Sequence, residues 1–214
     1  MNPLPEPKFI SLEGGEGTGK STQAALLTQA LRARGIDIIQ TREPGGCDGA
    51  EEIRRLLVSG TADRWNPMCE LLLHFAARCD HVAKVIGPAL ANDQWVVSDR
   101  FTDSSMAYQG IAQGLGRDAV SELQKTILSD FSPDLTLILD LPIDVGLVRV
   151  RDRGGEDRYE RMDPGFHRRL RQAFLDIAKN EPERCAVVDA SPVSSEVHAN
   201  ILGIVRDRLG LPDV

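Results

Sequence analysis

Apolar positions along this chain follow two rhythms. Short, nearly unbroken apolar runs predict strands at Lys8–Glu13, Ile36–Thr41, Trp95–Ser98, Leu135–Leu139 and Ala186–Val188. Between them apolar residues return every three or four positions, the spacing of one helix face. Ser21–Arg34 carries Ala24, Leu27, Ala30 and Leu31 and ends at Gly35, a residue suited to closing a helix. Ala50–Val58 predicts a short helix, and Pro67 opens a long one over Met68–Ala91. A polar loop and helix spans Thr102–Gln113, followed by helices at Asp118–Asp130, Asp144–Asp152, Pro164–Asn180 and Glu196–Leu209. Strands that alternate with helices, and that read as continuous apolar runs, predict a parallel sheet covered on both faces. The expected fold is therefore α/β, a three-layer sandwich around a five-stranded parallel sheet. No repeat or inter-domain linker interrupts residues 1–214, which read as a single domain. Residues 1–7 read as a disordered lead, and the charged, Gly-containing loop at about 153–162 as a mobile lid.

Composition narrows the function. Hydrophobic residues make up 42% and aromatics only 5%, so aliphatic side chains must carry the core. A net charge of −7 argues against a general nucleic-acid surface, which is normally basic, yet leaves room for a phosphate ligand held by local Arg and Lys. The four cysteines (Cys47, Cys69, Cys79, Cys185) form no C-x-x-C and no zinc spacing with histidines, and read as reduced thiols. The first residues lack the apolar segment of a signal peptide, and no apolar stretch is long enough to span a membrane. A cytoplasmic protein with no membrane partner is expected.

The stretch Phe9–Thr22 carries the strongest chemical signal. Gly14, Gly19, Lys20 and Ser21 spell G-x-x-x-x-G-K-[ST] between a predicted strand and a predicted helix, the context this motif needs. Glycines let successive N–H groups converge, and the helix N-terminus adds partial positive charge. Gly14, Gly15, Glu16, Gly17, Thr18, Gly19, Lys20, Ser21 and Thr22 are thus expected to cradle the phosphates of a nucleotide. Lys20 can reach the outer phosphates and the Ser21 hydroxyl can ligate Mg²⁺. Glu16 repels phosphate at this position, so it either serves a metal or a substrate hydroxyl, or turns outward to water.

Ligands of open parallel sheets bind beyond the carboxyl ends of the strands. Here those ends are charged: Glu13, Arg42-Glu43, Asp99-Arg100 and Asp140. Asp99 can hold a metal-bound water opposite Ser21, and Arg100 offers a fork to a phosphate oxygen. Asp140 reads equally as functional or as a solvated edge. On the long helix, Leu71, Phe75, Arg78 and Val82 share one face, with His74 and Phe75 both within reach of Arg78. An Arg beside an aromatic ring suits a flat heteroaromatic base, although for this helix alone an interhelix salt bridge is the simpler reading. Gln109 carries the donor–acceptor pair that can read a base edge. Arg149, Arg151, Arg153 and Arg158 bracket Gly154-Gly155, and at most two of them are expected to bring charge onto transferring phosphates.

Over nearly its whole length the chain resembles bacterial thymidylate kinases. The resemblance rests on EGGEGTGKST (Glu13–Thr22), TREPGG (Thr41–Gly46), EEIR (Glu51–Arg54), FAAR (Phe75–Arg78), PAL (Pro88–Leu90), SDRFTDSSMAYQG (Ser98–Gly110), PDLTLILDL (Pro133–Leu141) and DRYE (Asp157–Glu160). It implies a P-loop kinase fold, a homodimer, and transfer of the ATP γ-phosphoryl group to dTMP with Mg²⁺. It further implies that Glu16 contacts the sugar 3′-hydroxyl, Arg54 and Arg100 grip the dTMP phosphate, and Arg78 and Gln109 read thymine with Ser105 nearby. Tyr108 would crowd the 2′ position and Glu43 would line the sugar end. No Arg stands in the phosphate loop, so the lid would supply it, Arg153 first, with Arg149 near adenine. In several relatives the stacking ring stands four residues before the Arg, which here is His74; Phe75, one later, is apolar and favoured, with His74 the alternative. Rival readings are another nucleoside monophosphate or deoxynucleoside kinase of this fold, or a GTP-hydrolysing switch, which would want an N-K-x-D motif that this chain lacks.

Overall fold

Five parallel strands form one sheet in the order β2-β3-β1-β4-β5. The computed structural model describes residues 6–154 and 158–211, so most of the expected lead and residues 155–157 of the expected lid lie outside the described residues. Strands β1 (Phe9–Glu13), β3 (Trp95–Asp99) and β4 (Leu135–Asp140) are the inner ones, buried along almost their full length, while β2 (Ile38–Arg42) and β5 (Cys185–Asp189) are edges with exposed positions. That contrast explains the sequence pattern: only strands covered on both faces must be apolar at every position.

Alternation sends neighbouring residues to opposite layers. On one face Ile10, Leu12, Trp95, Val97, Leu135 and Leu137 pack against α1 (Lys20–Ala33) and α9 (Ser194–Leu209) through Leu27, Leu31, Ile201 and Val205. On the other, Phe9, Val96 and Ile138 meet α3 (Pro67–His81), α6 (Arg117–Leu128) and α8 (Pro164–Asn180) through Phe75, Val120, Leu170 and Phe174. Helix α2 (Asp48–Val58) lies against α3, and α7 (Ile143–Arg153) follows β4. Helices α3 and α8 start alike: Asn66 and Asp163 accept from the backbone N–H of Cys69 and Phe166, and a proline follows each cap.

The expected long helix is continuous in path but not in pitch. After α3 it widens to a π-helical segment at Val82–Ile86 before a last turn, α4 (Gly87–Ala91). Likewise α5 (Thr102–Ser105) runs into a π-helical segment at Met106–Ala112. Such wide turns cluster at functional sites, and this one carries Tyr108 and Gln109. Sequence periodicity does not distinguish the two pitches over so few residues. No helix among the described residues is long and apolar enough to cross a membrane.

Strands β1 and β3 are neighbours, and the chain leaves them in opposite directions, β1 toward β2 and β3 toward β4. Their carboxyl ends therefore frame the crevice in which ligands of such sheets sit.

Candidate active site

The loop after β1 is shaped by glycines at φ +137° (Gly14), +71° (Gly17) and +90° (Gly19). A side chain at Gly14 would place its Cβ 2.4 Å from the Leu139 carbonyl oxygen, and at Gly17 2.2 Å from that of Gly146. The fit is mutual: a Cβ at Gly146, in α7, would lie 2.6 Å from the Glu16 carbonyl oxygen. Gly146→Ala should therefore displace the phosphate loop. We expect a loss of about 1–3 kcal/mol in stability and a higher KM for the nucleotide, read by urea unfolding and steady-state kinetics. An unchanged KM would show that the loop is not seated on α7.

Helix α1 begins at Lys20 with no side-chain cap, so its first N–H groups are left to an anion. Lys20 lies buried across the loop, its Nζ donating to the Gly15 carbonyl at 2.6 Å and to Thr18 Oγ1 at 3.3 Å. Burial, and then the Arg100 charge, pull its pKa to about 8. The carboxylates of Glu16 and Asp99 offset this only in part, which leaves the ammonium suited to a further anion.

Arg100 organises the centre. It sits just past β3 at φ +76°, a strained conformation for a residue with a side chain. The strain is held from both sides: Arg100 N–H donates to the Leu12 carbonyl at 3.0 Å, and its own carbonyl accepts from Ser98 Oγ at 2.7 Å. The guanidinium then reaches Gly14 O at 3.0 Å, Ser104 Oγ at 3.2 Å and Glu16 Oε1 at 2.9 Å. Tyr108 also donates its hydroxyl to Glu16. Burial opposes ionisation of Glu16, but Arg100 and Lys20 outweigh it and hold the carboxyl down at about 2. Glu16 thus faces the interior of the site as a permanent anion rather than turning outward to water. On the other flank the Ser21 hydroxyl donates to Asp99, which joins the two residues expected to serve Mg²⁺. Among the described residues no group of three or more His, Cys, Asp or Glu could hold a metal ion. The Ser21–Asp99 oxygens fit a hard cation held mainly by the phosphates of a bound nucleotide.

Glu13, at the end of β1, is fully buried and accepts from Phe101 N–H at 2.6 Å and Ser104 Oγ at 2.5 Å. Burial, with nearby Asp103 second, raises its pKa from 4.5 to about 8. The folded form therefore keeps a proton that the unfolded chain releases, so folding weakens as pH rises between those two values. Urea midpoints should fall for the wild type from pH 5 to pH 8, and Glu13→Gln should flatten that fall; parallel profiles would refute the assignment.

Two connected hollows open from this centre. The larger, about 700 Å³, is lined by Lys20, Ser21, Thr22, Asp99, Arg149 and Arg153 among others. The smaller, about 70 Å³, is lined by His74, Ser104, Ser105, Tyr108, Gln109 and Tyr159 among others. Glu16, Glu43, Arg54, Val58 and Arg100 border both. Arg54 is placed by a 2.7 Å bond to the Pro44 carbonyl, in the loop that holds the cis Glu43–Pro44 peptide.

Three expectations change here. Phe75 is not on the smaller hollow; its ring is wholly buried among Phe9, Val96 and Phe101, and His74 borders the hollow instead, its Nε2 2.8 Å from the Tyr159 hydroxyl. The one-residue step turns the ring about 100° around the helix, enough to move it from pocket to core. Burial and the surrounding guanidiniums push the His74 pKa down to about 3, so its imidazole is neutral. Arg78 is set back as well. Its guanidinium donates to Glu43 Oε2 at 2.6 Å, Ser105 Oγ at 3.0 Å and the Phe101 carbonyl at 3.0 Å, and Glu43 also meets His81 Nδ1 at 3.0 Å. A salt bridge is present, but it joins α3 to the loop after β2 and not to another helix, as the simpler reading expected. Finally, Asp140 is not a free edge: Arg171 grips both its oxygens at 2.7 and 2.8 Å.

The arginines of the expected lid separate clearly. Arg149 donates to the Ala190 carbonyl at 3.2 Å while bordering the larger hollow. Arg153 is 62% exposed and pairs with the buried carboxylate of Glu160, also on that hollow. Arg151 bonds only weakly to its own helix, at 3.4 Å to the Leu147 carbonyl. Arg158 is wholly buried, donating to Leu57 O at 3.1 Å, Ala62 O at 2.9 Å and the Glu70 carboxylate. It ties its own segment to α2, to the loop after α2 and to α3 instead of bordering either hollow. Glu70, His81 and Gly146 escape sequence reasoning. A glutamate in a first helical turn passes for a helix-dipole charge, whereas an isolated glycine inside a helical pattern, as at Gly146, is a usable signal.

Comparison with known proteins gives a consistent result. A family model described as thymidylate kinase matches residues 12–201. The chain is 50% identical over 204 residues to a thymidylate kinase of Rhizorhabdus wittichii, covering 94% of this chain and 98% of that one. It is 52% identical over 203 residues to a thymidylate kinase of Caulobacter vibrioides, covering 95% and 98%. The crystal structure of thymidylate kinase from Ehrlichia chaffeensis superposes with a TM-score of 0.76 at 33% identity, covering 94% of this chain and 99% of that one. By sequence and by structure, this chain belongs to the thymidylate kinase family.

Proposed function

We propose that this protein transfers the γ-phosphoryl group of ATP to dTMP, giving dTDP and ADP. The observation that carries the reading is the pair of hollows meeting at Glu16 and Arg100, with Lys20 on the phosphate-loop side and Gln109 on the other. A donor nucleotide lies along the loop in the larger hollow, an acceptor base enters the smaller one, and their phosphates meet between. The dTMP phosphate is already an oxyanion, so no general base is required. Catalysis is positioning and neutralisation of charge. Ser21 and Asp99 would hold Mg²⁺, which would supply positive charge to offset that of the phosphates.

Lys20 and the α1 N-terminus hold the outer phosphates, and Arg100 and Arg54 hold the acceptor phosphate. Glu16 is kept as an anion by Arg100, so it accepts from the sugar 3′-hydroxyl. His74, neutral and at the rim, lies against the base in place of Phe75, while Arg78 acts from behind by orienting Ser105. Glu43 lines the sugar end and steadies Arg78. Arg153 leaves Glu160 for the transferring phosphoryl group when the lid closes, and Arg149 lies near adenine. Exposed Leu56, Met68 and Leu72 on α2 and α3 support a homodimer through these helices, checkable by light scattering. We assign the enzyme to the cytoplasm.

A coupled ADP-release assay across dTMP, dUMP, dCMP, AMP and GMP tests the reading. dTMP should be the preferred acceptor, with little ATP turnover in its absence. Preference for another monophosphate, or turnover that ignores the acceptor, would overturn it.

A further inference from the structure

Glu70 is a wholly buried carboxylate in the first turn of α3, and the phosphoryl-transfer chemistry does not use it. Its Oε1 accepts from Gln109 Nε2 and from Gln113 Nε2, each at 2.7 Å, and its Oε2 accepts from Arg158. A carboxylate can only accept, so both amides must turn their NH₂ ends toward it. Gln109 is 1% exposed, its Oε1 has no hydrogen-bond partner among the described residues, and the residue borders the smaller hollow. A buried amide oxygen in this state, on the edge of a hollow, is placed to accept from a ligand that brings a donor.

We propose that Glu70 is a positioning residue for nucleobase choice: by fixing which end of the Gln109 amide faces the hollow, it makes the site accept from a ring N–H. This inference rests on the dTMP kinase reading. Thymine carries a hydrogen on N3 and satisfies the Gln109 oxygen. Cytosine presents a lone pair at N3, and two lone pairs then oppose each other in a desolvated site. Ser105 reinforces the choice. Its Oγ accepts from Arg78 at 3.0 Å, so its own proton is left to donate to a carbonyl such as thymine O4, where cytosine has an amino group. Excluding an analogue by leaving buried polar groups unpaired discriminates far more strongly than a difference in shape.

The test measures kcat/KM for dTMP and dCMP in the wild type, Glu70→Gln, Glu70→Asp and Arg158→Lys. With Glu70→Gln the group at this position can donate as well as accept, so the Gln109 amide can turn over. The dTMP:dCMP ratio should fall at least about tenfold, mainly through KM. Glu70→Asp keeps an acceptor-only group and should retain most of the ratio. Arg158→Lys keeps the charge beside Glu70 but loses the lid anchor, so it should slow both substrates and leave their ratio within about twofold. If Glu70→Gln does not accumulate as folded protein, Gln109→Leu reads the same claim: dTMP should weaken at least about tenfold and dCMP should not. A Glu70→Gln ratio equal to that of the wild type would overturn the inference, as would an equal shift in Arg158→Lys, which would trace the effect to the lid. A wild type that does not use dTMP at all would instead refute the kinase reading beneath it.

Discussion

Lys20→Ala should lose about 10²–10³ in kcat, equivalent to about 2.7–4 kcal/mol of barrier, with the fold intact. The Nζ now bonds to the Gly15 carbonyl and Thr18 hydroxyl of its own loop, contacts that a bound phosphate can replace. Its pKa of about 8 reflects an ammonium deprived of water and crowded by Arg100. Negative charge building on the transferring phosphoryl group relieves that cost most in the transition state, so the loss should fall on kcat more than on KM. Circular dichroism and unfolding midpoints close to wild type would confirm that chemistry alone is affected. Turnover within about threefold of wild type would remove Lys20 from the mechanism.

The largest stability effect is expected at Glu43, a residue that borders both hollows yet supports the fold. It is 4% exposed, forms an ion pair with Arg78 at 2.6 Å and a hydrogen bond with His81 Nδ1 at 3.0 Å, while His81 Nε2 lies 2.7 Å from Thr41 Oγ1. Glu43→Ala would leave the Arg78 guanidinium buried without its counter-charge, and breaking such a pair from one side costs about 3–5 kcal/mol. Urea unfolding should show a loss of that size. The double variant Glu43→Gln/Arg78→Met, which removes both charges, should recover part of it, because the penalty belongs to the stranded cation more than to the lost attraction. A single-variant loss below about 1 kcal/mol would mean that the Ser105 and Phe101 contacts suffice for Arg78.

Both residues illustrate how unevenly the site could be read. The phosphate loop was legible because its chemistry is local: glycine spacing, a lysine and a hydroxyl lie within one short stretch, and the flanking apolar runs supply strand and helix. Asp99 and Arg100 were legible because they end a buried strand, where the fold class places ligands. The proposed acceptor pocket was only half legible. Its residues come from the loop after β2, from α3 and from the π-helical segment after α5, and which ring of the His74–Phe75 pair faces inward depends on the rotation of α3 against the sheet. The preference for Phe75 followed its apolar character, and that same character draws it into the core with Phe9 and Phe101. Which of the four arginines around Gly154-Gly155 stand apart from the hollow was not legible either: Arg158 looks like its neighbours in the sequence, but the buried Glu70 claims it.

By itself the sequence determined the alternation of strand and helix, the three-layer parallel architecture, the position of the phosphate loop, and the family. Each is written in short-range pattern, where spacing dictates which side chains share a face or a turn. Only the tertiary structure decided that His74 rather than Phe75 borders the pocket, that Arg78 is held behind Ser105 by Glu43, and that Glu70 joins Gln109, Gln113 and Arg158. It also seated Gly146 against the phosphate loop. These are partnerships between residues far apart in the chain. A buried charge or amide takes whichever partner the packing of distant elements brings within hydrogen-bond reach, and no local pattern records that choice.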